Sequence, residues 1–258
     1  MEQYIVDAFT DKVFKGNQAA VCVMESWPDD QLMINIAVEN NFSETAFTVK
    51  NGDCYELRWF TPGGEIDLCG HATLATSFVV FNFYEKDAEE ICFSTRFSGK
   101  LIIKRIGDLF EMDFPRYQYK AVDVTSAMEE AIGAKIKEAY LSRDLLMILD
   151  DEDIVANLKP DMEKLKDLPG LCIAVSAKGT DYDCVSRVFV PDMGIPEDPV
   201  TGSTHCLITP YWCEKLNKHE LDCFQASKRS GSMHTILNED RVKIQGKAAL
   251  FAKAELYV

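Results

Sequence analysis

The chain has 258 residues, 47% of them hydrophobic, and a formal net charge of -15 from 42 acidic against 27 basic side chains. Such a surplus repels a phosphate backbone at long range, which argues against nucleic acid and against anionic membrane surfaces as partners while leaving room for a local pocket that takes a small anion. The 14 glycines and 9 prolines form no low-complexity tract, so most of the chain is expected to fold.

Glu2, Asp7 and Asp11 stand where a signal peptide would be basic and then apolar, and the apolar run 72–81 is too short to span a bilayer. The expectation is a cytoplasmic protein. Nine cysteines occur without a CxxC pair, and Cys206 and Cys213 are too far apart for a zinc knuckle. They are expected to be free, mostly buried thiols in a reducing compartment. The four histidines show no ligand spacing, so no metal site is expected.

In chain order, strand patterns fall at 3–9 and 19–24, then a helix at 28–39 with Ser26 and Asp29 in capping-box spacing. Segments 43–50 and 53–59 read as two strands around a tight Asn51-Gly52 turn. A helix is expected at 72–81 and strands at 91–96, 101–105 and 110–114. Helices at 126–132 and 162–168 are followed by strands at 172–176 and 185–190. A helix at 203–216 contains Pro210, which should kink or shorten it, and strands follow at 223–226, 241–245 and 249–257. The acidic stretches 85–90 and 150–153 read as solvated surface. Mostly antiparallel sheet with a few helices makes the fold class α+β.

Two stretches echo each other. Arg58-Trp59-Phe60-Thr61-Pro62 returns as Arg187-Val188-Phe189-Val190-Pro191, an offset of 129, which is half of 258. Gly70-His71-Ala72-Thr73 returns as Gly202-Ser203-Thr204-His205, an offset of 132, so the second copy has three extra residues in its loop. Duplication predicts two domains of similar fold. The boundaries expected are 1–114 and 115–248, with a last strand at about 249–258 returning to the first domain.

If Asn51-Gly52 is the loop, Glu44 pairs with Trp59 and is carried towards the helix start at Gly70. Helix N-termini present unpaired N–H groups and a positive dipole end, so they bind anions without a lysine or arginine. Two such starts, at Gly70 and at Gly202-Ser203, facing one cleft would suit a substrate carboxylate and the negative charge that develops when a C–H proton leaves. Glu44, among Phe42, Ala46 and Phe47, is expected to have its pKa raised by desolvation, as a general base for carbon acids needs; the bland alternative is a strand-edge surface residue. Asp198, Thr201 and Gly202 have the chemistry of a turn feeding a helix cap, with or without a ligand. The dipole is expected to keep His71 neutral, and Cys69 is a thiol whose reactive role is the weaker reading.

Gly16-Asn17-Gln18-Ala19-Ala20-Val21, Ser43-Glu44-Thr45-Ala46-Phe47, Arg58-Trp59-Phe60-Thr61-Pro62, Cys69-Gly70-His71-Ala72-Thr73 and Glu197-Asp198-Pro199-Val200-Thr201-Gly202-Ser203 together resemble the PhzF phenazine-biosynthesis-like family over essentially the whole chain. The resemblance implies the diaminopimelate-epimerase-like architecture: two pseudo-symmetric domains, each a curled, mostly antiparallel sheet around a central helix, with the active site between them. It implies one glutamate base, Glu44, assisted by His71 and Asp198, with Asn17, Gly70, Ala72, Gly202 and Ser203 as substrate-binding positions and no cofactor. The two-cysteine chemistry of epimerases in that superfamily is not expected, because Cys69 has no cysteine counterpart among residues 198–202. Members are often homodimers.

The expected function is a cofactor-independent isomerase that transfers a proton on a small carboxylate-bearing metabolite. Three alternatives stand beside it: a small-molecule-binding protein without turnover, a thiol enzyme using Cys69, and a dehydratase or epimerase acting on a hydroxy amino acid.

Overall fold

The structure is a computed structural model and describes residues 1–191 and 195–258. In chain order its elements are β1 (Glu2–Ala8), β2 (Asn17–Met24), α1 (Asp30–Asn40), β3 (Glu44–Asn51), β4 (Cys54–Thr61), β5 (Gly64–Ile66), α2 (Gly70–Val79), β6 (Glu90–Thr95), β7 (Gly99–Ile106) and β8 (Leu109–Pro115). They continue with β9 (Lys120–Val122), α3 (Ser126–Ile132), β10 (Glu138–Leu141), β11 (Leu145–Ile148), α4 (Glu152–Asn157), α5 (Met162–Lys166), β12 (Ile173–Lys178), β13 (Cys184–Phe189) and β14 (Glu197–Asp198). The last are α6 (His205–Leu216), β15 (Glu220–Gln225), β16 (Gly231–Asn238), β17 (Arg241–Gly246) and β18 (Ala248–Glu255). The chain divides into two compact units, Met1–Asp113 with Gln245–Val258, and Phe114–Ile244.

Within the first unit β1 lies antiparallel between β2 and β18, β2 runs parallel to β3, and β4 is antiparallel to β3 and β5 but parallel to β6. Within the second, β10 lies antiparallel between β9 and β11, β11 runs parallel to β12, and β13 is antiparallel to β12 and β14 but parallel to β15. The steps β2–β3 and β11–β12 are bridged by helix, α1 in the first and α4 with α5 in the second, while β4–β6 and β13–β15 are each bridged by a short strand and a central helix, β5 with α2 and β14 with α6. The two units therefore share one topology, a mostly antiparallel α+β fold, as the duplication predicts.

The repeated arginine motif serves the same purpose twice. Arg58 makes a bidentate pair with Glu65 at 2.7 Å on both arms and lies 5.0 Å over the Phe60 ring. Arg187 makes the same pair with Glu197 at 2.7 and 2.9 Å and lies 5.0 Å over Phe189. In both units a strand and its following short strand are clamped edge to edge by a forked ion pair shielded by an aromatic face.

A central helix fills each unit. In α2 eight of ten residues are buried, including Thr73, Thr76 and Ser77, whose hydroxyls are satisfied by donating to the carbonyls of Cys69, Ala72 and Thr73 one turn back. In α6 every residue of 205–213 is buried. Pro210 does not shorten α6 as the sequence suggests. The carbonyl of Cys206, which loses its helical donor to the proline, accepts instead from the Tyr117 N–H at 3.0 Å. The helix does begin two residues later than expected, at His205, because 202–204 form a tight turn.

Other expectations need correction. The hairpin between β3 and β4 pairs Asn51 with Cys54, so its loop is Gly52-Asp53 and Ala46, not Glu44, faces Trp59. Positive φ is needed only at the first loop position, where Gly52 has φ 61°, the requirement of a turn with glycine leading. At α1, Asp29 is itself the cap, accepting from Leu32 N, rather than the partner of Ser26 in a capping box. The cysteines are not all free: Cys54 and Cys92, opposed on parallel β4 and β6, form a disulfide, and the other seven are buried thiols. At the same register of the second unit Cys184 opposes Cys223, with the sulfurs 3.5 Å apart. Among the described residues no helix is long and apolar enough to cross a membrane.

Candidate active site

Glu44 opens β3, paired beside Ala19 of β2, where the alternation of the strand leaves its carboxylate with 16% exposure. His71 is the second residue of α2 and is 7% exposed. Its Nε2 lies 3.1 Å from Glu44 Oε2, and its Nδ1 lies 3.2 Å from the side-chain nitrogen of Asn17, the buried first residue of β2. Asn17 is aimed by Gly16, which has φ 66° and leaves no room for a side chain, since a Cβ there would stand 2.1 Å from the Ala8 carbonyl oxygen. The thiol of Cys69, the N-cap residue of α2, lies 3.5 Å from Nδ1 and 4.0 Å from Nε2 of His71. Three of the sequence candidates, Asn17, Glu44 and His71, are thus in mutual reach through the imidazole. Gly70 and Ala72 belong to the same first turn, whose N–H groups have no intrahelical acceptor in a regular helix.

The charges differ from the sequence expectation. Burial works to raise the Glu44 pKa, but the charge and contact of His71 outweigh it and hold the carboxyl below its ordinary range. Burial likewise opposes a charged His71, yet contact with Cys69 and the charge and contact of Glu44 hold the imidazole well above its usual range. The helix dipole, expected to keep His71 neutral, loses to a carboxylate at contact distance. Burial pushes the Cys69 thiol up, so it rests as a thiol and not as an activated thiolate.

In the second unit Asp198 ends β14 and accepts from the Thr201 hydroxyl at 2.6 Å. Gln225 on β15 ties this turn together, donating to the Asp198 carbonyl and accepting from Thr201 N, both within 2.8 Å. Gly202 is buried in the turn that leads to α6. The hydroxyl of Ser203 accepts from the Arg143 guanidinium at 3.0 Å. Arg143 itself is held by the wholly buried Asp144 through two hydrogen bonds of 2.9 and 2.7 Å and lies 5.0 Å over the Tyr117 ring. Neither Arg143 nor Asp144 stands out in the sequence. The signal available was the duplication: Arg143 holds the second residue of the Gly202-Ser203 motif much as Asn17 holds that of Gly70-His71.

Comparison with known proteins agrees with the fold. The family model for phenazine biosynthesis-like proteins, PhzC-PhzF, matches residues 6–254. An uncharacterized isomerase of Pseudomonas aeruginosa is 44% identical over 253 residues, covering 98% of this chain and 97% of its own length. The crystal structure of a PhzF-family phenazine biosynthesis protein from Enterococcus faecalis superimposes with a TM-score of 0.98 at 49% identity, over 100% of this chain and 99% of that one. A PhzC/PhzF protein from Clostridium difficile gives a TM-score of 0.95 at 46% identity, with 100% of both chains covered. With five motifs, a duplicated α+β topology and whole-length matches in accord, the chain belongs to the PhzC-PhzF family of phenazine biosynthesis-like proteins.

Proposed function

We propose that this protein is an isomerase that moves a proton on a small carboxylate-bearing molecule, with Glu44 as the group that takes and returns it. The observation that carries the reading is the Glu44–His71 contact: a poorly solvated carboxylate 3.1 Å from an imidazole that Asn17 holds from the other side, at the start of a buried helix. A lowered pKa keeps Glu44 deprotonated at neutral pH and ready to accept a proton. Once protonated beside a cationic His71 it is a strong acid, which favours giving the proton back over losing it to solvent. That asymmetry suits a reaction that relocates a proton on one substrate. The first-turn N–H groups of α2, at Gly70, His71 and Ala72, supply donors for the negative charge that develops on the substrate. In the second unit Asp198, Gly202 and Ser203, with Arg143 behind Ser203, form the corresponding turn at the start of its own central helix. The name of the Pseudomonas relative supports the reaction class.

Solvent deuterium exchange tests it. Candidate cyclic and amino-acid carboxylates, followed by proton NMR, are expected to exchange a carbon-bound hydrogen with the wild type. Glu44→Gln is expected to slow that exchange by roughly a hundred- to ten-thousandfold, the usual worth of a positioned acid/base. Equal exchange in both proteins would remove Glu44 from the chemistry, and a product lighter by one water would make the enzyme a dehydratase.

A further inference from the structure

Among the described residues, Cys184 and Cys223 are the one pair of free cysteines whose sulfurs lie in contact. They are 0% and 1% exposed, and the proton transfer assigned to Glu44 uses neither. β13 and β15 run parallel with these two residues in direct register. Registered neighbours on adjacent strands stand about 4.8 Å apart, inside the Cα separation of roughly 4.4 to 6.8 Å that a disulfide spans. The first unit shows that such a bridge closes: Cys54 and Cys92, in register on parallel β4 and β6, are bonded with their Cα atoms 4.7 Å apart. The Cys184 and Cys223 sulfurs are 3.5 Å apart, so side-chain rotation brings them to bonding distance without moving either strand.

We infer that Cys184 and Cys223 are a dithiol modification site, which hydrogen peroxide converts to a disulfide across β13 and β15. One thiol ionises and its sulfur takes an oxygen from the peroxide, giving a sulfenic acid and a hydroxide that leaves as water with the released proton. The second sulfur then displaces the sulfenic hydroxyl, which leaves as water with the second thiol's proton. Two S–H bonds and one O–O bond break, one S–S bond and two O–H bonds form, and the two electrons lost by sulfur are gained by the peroxide. Burial sets the rate in both directions. Contact with Cys223, and then burial, hold the Cys184 thiol well above its ordinary range, so it rests protonated and reacts slowly. A peroxide little larger than water enters on local opening, whereas a reducing thiol must bring its own sulfur in line with the bond. Cys54 and Cys92 are each half-buried and lack that protection. The chain between residues 184 and 223 carries β14, the turn at 198–204 and α6, so the bridge staples the second unit around its central helix.

The test uses the full chain, reduced with a phosphine and freed of it, exposed to hydrogen peroxide, alkylated in urea and digested with trypsin without further reduction. Cleavage after Lys178, Arg187, Lys218 and Lys228 leaves each of the two cysteines alone on its own peptide, 179–187 and 219–228. Mass spectrometry is expected to find these peptides joined. Oxidation is expected to raise the melting temperature by roughly 5–10 °C more in the wild type than in Cys223→Ala, or in Cys184→Ala if that variant does not fold. Glutathione added to the folded, oxidised protein is expected to open Cys54–Cys92 at least about tenfold faster than Cys184–Cys223. Two separately alkylated peptides after prolonged exposure overturn the site, as do sulfinic acid at either cysteine without a bridge, a bridge to Cys213 of α6, or a bridge that forms only in urea. A bridge without the added melting shift overturns the staple, and equal rates of reduction overturn the shielding.

Discussion

Burial works against charge at Glu44 and at His71, and each is nevertheless held in its charged form by the other. The signs of the two shifts define a window. Glu44, lowered, adds stability that is present above its ordinary carboxyl range and lost as pH falls. His71, raised, adds stability that is present below the ordinary imidazole value of 6.5 and lost as pH rises through its shifted value. Removing the carboxylate should release the imidazole: in Glu44→Gln the His71 ring resonances are expected to titrate at a markedly lower pH than in the wild type, and an unchanged titration would show that the pair is not coupled. His205 behaves in the opposite way. Wholly buried with its Nδ1–H on the Thr201 carbonyl at 2.9 Å, it is pushed down by desolvation to about 4. The unfolded chain therefore takes up its proton near 6.5, before the folded chain does, so stability falls between pH 6.5 and 4 by roughly 3 kcal/mol from this residue. Urea titrations at several pH values should show that slope flattened in His205→Gln.

Elements place these residues through backbone features that a substitution can probe. Gly16 turns the chain into β2 at positive φ with no space for a Cβ. Gly16→Ala is expected to cost at least about 2 kcal/mol, from left-handed strain and a backbone collision, and to lower exchange activity by moving Asn17. A melting temperature equal to the wild type's would contradict this. The forked pairs of β4 and β13 are equivalent but partly exposed, so Glu65→Gln and Glu197→Gln are each expected to destabilise by about 1–3 kcal/mol, below the cost of breaking a fully buried pair, and by similar amounts. Much of this was legible in the sequence because it is local: the Arg-x-Phe echo, the α2 run and the Glu44 neighbourhood are contiguous signals. What escaped depends on pairing across the chain. The hairpin register turned on which loop position takes the positive φ. β11 is a continuous apolar run buried in a parallel step and lacks the alternation that marks a half-exposed strand. Arg143 and Asp144 acquire meaning only when the β11 edge is laid beside the α6 start, and the charge on His71 only when β3 is laid beside α2.

For the whole molecule, the disulfide is the one covalent tie among the described residues beyond the chain itself. It closes 38 residues between Cys54 and Cys92, worth about 3–4 kcal/mol on loop entropy, so reduction or Cys92→Ala should lower the melting temperature of the first unit. An unchanged melt under strong reductant would show that the tie is dispensable.

The first unit takes strands from both extremities of the sequence: β1 pairs with β18, and Met1 and Leu256 exchange backbone hydrogen bonds at 3.1 and 2.8 Å. During synthesis, then, every residue of Phe114–Ile244 has been added while the half that came first still lacks its closing edge. The later half is free to finish first, and Glu44, although translated early, must wait beside an unpaired strand until β18 leaves the ribosome. Stalled nascent chains in which an inert spacer after residue 244 fills the exit tunnel should accordingly yield a protease-resistant second half and a digestible first one.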